Sequence, residues 1–122
     1  MITGKVTDYE AIIRISIYNS SGQIYERDAI IDTGFDGWLS LPPAFIGILD
    51  LTWKRRGLAV LADGSRSIFN MYEAIVIWDK QLLTIPIDEA DSEPLVGMSL
   101  MEGYELTIRA INGGIVTLSK IA

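Results

Sequence analysis

Asp32 stands at the end of a run of branched apolar residues, Ile30-Ile31, and is followed at once by Thr33 and Gly34. A carboxylate so placed sits where a buried strand meets a cleft, because Ile-rich runs fit a pleated surface covered on both sides. Thr33 offers a hydroxyl for local hydrogen bonds. Gly34 permits the backbone of a tight loop whose amides turn toward the carboxylate. A carboxyl held rigidly at the rim of a core suits general acid–base work. Asp-Thr-Gly alone is also an ordinary turn, so its meaning depends on the elements around it.

Composition narrows the chemistry. The 122 residues make one domain, residues 1–122, with 49% hydrophobic and 21% charged residues, which is globular. The chain has no His, which removes Ser-His and Cys-His nucleophile pairs and nearly all catalytic zinc sites. It has no Cys, so no disulfide or thiolate chemistry; a cytoplasmic location fits. No signal peptide or membrane-length apolar run is expected. A net charge of −6 argues against nucleic acid. The one basic cluster, Lys54-Arg55-Arg56, reads as a solvated loop or strand edge. No cluster has metal-ligand spacing; Asp88, Glu89 and Asp91 would be weak calcium ligands at best. No cofactor is implied.

The elements that must position Asp32 are short strands. Ile13, Ile15 and Ile17 alternate with Arg14, Ser16 and Tyr18, so residues 2–18 read as a strand or hairpin. Asn19-Ser20-Ser21-Gly22 is a turn, and Gln23 to Ile31 is the strand that delivers Asp32. Trp38 to Leu41 is a short strand stopped by Pro42-Pro43, and Ala44 to Leu51 is a short helix. Trp53 to Leu61 and Ser67 to Trp78 flank an Asp63-Gly64 hairpin turn. Leu82 to Ile87 is a strand, and Asp88 to Glu93 reads as a solvated acidic loop. Pro94-Leu95-Val96-Gly97-Met98 is a second apolar run, and Ser99 to Gly103 makes one or two helical turns. Tyr104 to Ile111 and Ile115 to Ile121 form a last hairpin around Asn112-Gly113. Trp38, Trp53 and Trp78 are expected in the core. The pattern predicts an all-β fold with one or two short helices, closed as a small barrel.

Taken together, this order resembles the retropepsin-like (clan AA) aspartic proteases, especially the small single-domain bacterial type. The resemblance runs from about Ile13 to Ile121. Its specific parts are Ile30-Ile31-Asp32-Thr33-Gly34, the flap-like hairpin around Asp63-Gly64, and Leu95-Val96-Gly97-Met98. It implies an acid-protease-like barrel, an aspartic endopeptidase activity on extended peptides, and a homodimer in which each subunit supplies one Asp32. Thr33 would tie the two loops across the axis, Gly34 would shape its loop, and Gly97 would let its strand approach closely. The N-terminal segment and Ile115 to Ile121 are expected to form the interface, as apolar edges in need of cover.

Three positions depart from the family pattern. Phe35 stands where retroviral members carry Ala and is expected to fill a substrate pocket or pack inward. Asp36 agrees with the pattern, whereas Gly37 does not. Asp63 replaces a Gly- and Ile-rich flap tip, which leaves Gly64 as the better candidate for backbone contact with substrate. The alternative is a non-catalytic module that keeps this fold for dimerisation or peptide binding.

Overall fold

Ile13, Ile15 and Ile17 are almost wholly buried while Arg14 between them is exposed, so the alternation does place one face of a strand inward. That strand, β2 (Glu10–Tyr18), follows β1 (Ile2–Thr7) across a two-residue turn. Asp8 and Tyr9 adopt positive φ there, the backbone twist a tight hairpin requires. The computed structural model describes all residues from Met1 to Ala122. Strands hold 57% of them and helices 9%, which makes the fold all-β.

Chain order continues through β3 (Ile24–Ile31), β4 (Leu39–Leu41), the helix α1 (Pro43–Leu49), β5 (Thr52–Val60) and β6 (Arg66–Trp78). It ends with β7 (Gln81–Glu89), β8 (Leu95–Val96), the one-turn helix α2 (Met98–Met101), β9 (Tyr104–Ile108) and β10 (Ile115–Lys120). The ten strands form one sheet in the order β5-β6-β7-β4-β8-β3-β2-β1-β10-β9. A further pairing of β6 with β2, Ile17 opposite Val76, folds the sheet back on itself. Between its layers lies a core of 21 buried apolar residues. Each fully buried Ile or Leu there contributes about 1.5–3 kcal/mol relative to exposure. No helix is long and apolar enough to cross a membrane.

Four expectations change. β1 and β10 are not edges: β1 pairs with β2 and β10, and β10 with β1 and β9. The outer strands are β5 and β9, so backbone free for further pairing lies there instead. Trp78 is buried and Trp38 packs against the core, but Trp53 on the outer strand β5 is exposed. The acidic loop begins later than expected, because Asp88 and Glu89 belong to β7. The strand reaches them by running parallel to β4, with Ser40 opposite Asp88 and Leu41 opposite Glu89. Finally, β9 stops at Ile108, and residues 109–114 form a broader turn closed by the Arg109 amide on the Ile115 carbonyl.

Candidate active site

The strands on either side of the Asp32 loop do not pair with each other. β8 lies between them, parallel to β3 (Ile30 opposite Leu95, Ile31 opposite Val96) and antiparallel to β4 (Leu39 opposite Val96). Short apolar strands suit this position, since Ile31, Leu39 and Val96 are all buried. The Asp32 amide donates to the Val96 carbonyl at 3.0 Å, which carries the parallel pairing into the loop.

The carboxylate of Asp32 is half-buried, and its Oδ1 accepts the Gly34 N–H at 2.9 Å. The loop turns back on itself here, with the Phe35 amide on the Asp32 carbonyl at 3.2 Å. Thr33 and Gly34 are exposed at its tip. The far side of the loop is fastened to the start of α2. Gly97 N–H donates to Trp38, Met98 N–H to Phe35 and Ser99 N–H to Gly37, all to carbonyl oxygens at 2.8–3.0 Å. The Ser99 hydroxyl also donates to the Asp36 carbonyl.

Phe35 packs inward within this frame. A Cβ added to Gly37 would lie 2.5 Å from its ring, and one added to Gly97 would lie 2.7 Å from it. The bulky ring and the two glycines therefore belong together: Gly37 and Gly97 leave the space that Phe35 fills. The sequence held a signal for this, since a large residue and an unexpected glycine stand two apart.

Above the loop runs the β5–β6 hairpin. Asp32, Gly34, Phe35 and Asp36 form one side of a cleft of about 610 Å³, and Leu58, Val60 and Phe69 of the hairpin form another. Ser40, Asp88 and Leu95 complete its walls. Asp63 and Gly64 lie at the hairpin's exposed tip, outside the residues that line the cleft. Gly64 has a φ of +84°, the left-handed conformation its turn needs. The Asp63 carboxylate is occupied within the turn, accepting from the amide and the hydroxyl of Ser65. Those bonds hold its carboxyl below the usual carboxylate range.

Two polar residues of the cleft were not expected there: Asp88, read from the sequence as part of a solvated acidic loop, and Ser40. Burial pushes the Asp88 carboxyl above the usual carboxylate range, and the neighbouring charge of Asp36 pushes it the same way; Arg55 opposes both. The residues contain no group of three or more acids or other ligands arranged to hold a metal. A second cavity of about 530 Å³ lies behind the loop, between Val6, Tyr9, Ile31 and Ile111. Its lining is mostly apolar, with Asp8 its one acid.

Neither a protein-family model nor a curated protein matches this sequence. Among solved structures, a retropepsin-like aspartic protease from Rickettsia conorii is similar, with a TM-score of 0.58 and 17% identity. The match covers 100% of this chain and 91% of that one. At that identity the similarity establishes the fold.

Proposed function

We propose that the chain is an aspartic endopeptidase that works as a homodimer, with Asp32 from each of two subunits meeting at one site. The observation that carries this reading is the Asp32 carboxylate, anchored by Gly34 N–H and set in a cleft beneath a long hairpin. The similarity to a retropepsin-like fold supports it. Each chain has a single Asp-Thr-Gly, so a two-fold axis is the economical source of a second catalytic carboxyl.

Two carboxyls in contact share one proton, because like charges at that distance repel. The ionised one takes a proton from a water molecule as its oxygen attacks the scissile carbonyl carbon. The protonated one donates to the carbonyl oxygen, giving a neutral tetrahedral diol. The carboxyl that took the water's proton then passes it to the amide nitrogen while the other carboxylate takes a proton from a diol hydroxyl. The C–N bond breaks, carboxylic acid and amine leave, and one proton is again shared by the pair. Thr33 ties the two loops across the axis. An extended peptide would lie along the cleft as an added strand, beneath Gly64 and Asp63 at the hairpin tip. Phe35 supports the floor of the cleft from below, and Asp36 borders it.

The second reading is a non-catalytic module that binds peptides or a second copy of itself. The exposed apolar side chains of the hairpin, Leu58, Val60, Leu61 and Ile68, favour it, since such a row suits docking as well as it suits a lid. Cleavage of a mixed peptide library from acid to neutral pH, with Asp32→Asn as control, separates the two. Cleavage by the wild type and not by the variant supports the enzyme; binding without cleavage supports the module.

A further inference from the structure

Asp88 and Asp36 approach the cleft from different elements, one from the end of β7 and one from the loop after Asp32. They are close enough for the charge on Asp36 to weigh against ionisation of Asp88. Neither carboxylate has a cation within ion-pair distance. The ion pairs of the molecule are Met1–Asp79, Arg14–Glu26, Arg14–Asp28 and Lys54–Glu73, all elsewhere. Arg55 lies near enough to be felt but forms no bond to either acid.

A second and independent feature stands beside them. Ser40, opposite Asp88 in the β4–β7 pairing, is 3% exposed, and its Oγ has no hydrogen-bond partner. A buried hydroxyl left unpaired forfeits its hydration without return, so native structures seldom keep one without a use for it. It lines the same cleft as the two acids. Phe35, Phe69 and Leu58 supply apolar wall around this polar end.

A half-buried carboxylate with a second, exposed one beside it and no ion-pair partner for either, an idle hydroxyl and an apolar approach call for a particular occupant. It should be long, apolar along its stem, and positively charged with several N–H donors at its end. A metal ion fits poorly, since no third acidic ligand joins the pair. We propose that Asp88 and Asp36, with Ser40 beside them, form a subsite that selects a Lys or Arg side chain of a bound peptide. The aliphatic stem lies against Phe35 and Phe69, and the charged head reaches the two carboxylates. An Arg head can also donate to Ser40 Oγ. Asp88 specifies the occupant because it is the more buried of the two acids, while Asp36 adds charge from the rim.

This inference rests on reading the cleft as a peptide groove, and its test is arranged so that the two can fail separately. Paired peptides differing only in Lys or norleucine, at each position around the cut, are compared by kcat/KM. The wild type should favour Lys at one position by about tenfold, the factor that 1.4 kcal/mol of charge pairing provides. In Asp88→Asn the Lys-to-norleucine ratio should fall to near one. In Asp36→Asn it should fall partway, and this loop variant keeps the test available should Asp88→Asn fail to fold. Equal cleavage of the two peptides at every position overturns the subsite while the protease reading stands. In a parallel arm, fluorescence anisotropy measures binding of the same peptides to Asp32→Asn protein. A Lys preference there that disappears in Asp32→Asn with Asp88→Asn supports the subsite even if the wild type cuts neither peptide. Binding that is indifferent to Lys overturns it.

Discussion

Gly97 lies so close to Gly37 that a Cβ built on it would sit 2.1 Å from the Gly37 carbonyl oxygen. No side chain fits there, and backbone rather than a flexible tip would have to yield. The contact is where α2 begins and where the Asp32 loop ends, so it sets the spacing between the second apolar run and the loop.

Gly97→Ala should therefore destabilise the fold by about 1–3 kcal/mol, the cost of forcing volume into a filled site. Any activity should fall with it, since the loop must move. Gly47→Ala is the control: nothing lies within 4 Å of a Cβ at that position in α1, and helix propensity favours Ala by about 1 kcal/mol. Urea unfolding of the two variants should shift in opposite directions. Equal shifts would mean that the Gly37–Gly97 contact does not constrain the loop.

Asp32→Asn should reduce peptide hydrolysis by several orders of magnitude. Each acid or base group of such a pair contributes roughly a hundredfold to ten-thousandfold. The dimer should persist in sedimentation, because Asn is nearly isosteric and removes repulsion between like charges. Cleavage by the variant at the wild-type rate would exclude the dyad.

Thr33→Ala should weaken dimerisation and activity together. Thr33 is exposed at the loop tip of the single chain, where a two-fold partner would meet it. Sedimentation over a range of protein concentration should show the variant dissociating at higher concentration than the wild type. A dimer of unchanged affinity would remove Thr33 from the interface.

Asp88→Asn should stabilise the protein at neutral pH. In the folded chain Asp88 holds its proton more tightly than an ordinary carboxyl of pKa 3.8, through burial first and Asp36 second. A raised folded value means that its contribution favours folding below the unfolded pKa and is lost as pH rises through the folded one. Replacing it with a neutral side chain removes that loss. The gain over wild type should be largest at neutral pH and should shrink toward zero below 3.8, where wild-type Asp88 is protonated in both states. Thermal unfolding across that range provides the measurement.

The hairpin tip should exchange its amides far faster than the sheet. Residues 61–66 are exposed, and two backbone bonds between Leu61, Gly64 and Ser65 close the turn. Ile75, by contrast, sits within the long strand β6, paired with Thr84 of β7. A tip that opens on the microsecond-to-millisecond scale of other lids would admit substrate. Hydrogen exchange as slow at Gly64 as at Ile75 would mean a rigid loop.

Much of this was legible along the chain because it is locally encoded. The Ile13-Ile15-Ile17 alternation, the Asp63-Gly64 turn and the run into Asp32 each need only neighbouring residues to be read. What was missed depends on pairing between distant segments. Asp88 looked like the start of a solvated acidic stretch because nothing nearby shows that β4 extends β7 past Ile87. The alternation of Ile85 and Ile87 with Pro86 and Asp88 was the available hint, since it continues the strand by two residues. Ser40 gave no hint, for a serine in a short apolar strand signals nothing about a missing partner. Trp53 was expected inside because of its size, but β5 is an outer strand and leaves it exposed. The expectation that the N-terminal segment and the last strand are sheet edges failed for the same kind of reason: which strand ends a sheet is a property of the whole topology.

The bond from the Asp32 amide to the Val96 carbonyl also has a consequence in time. Asp32 is synthesised well before the strand that frames it, and parallel pairing of such distant segments raises contact order and slows folding. While the nascent chain ends short of Val96, β3 has no parallel neighbour, and the Asp-Thr-Gly loop has nothing to fasten its far side. A chain interrupted before that point carries the acidic residues without the frame that presents them. Assembly of the loop therefore waits until Val96 has been made, long after Asp32 itself.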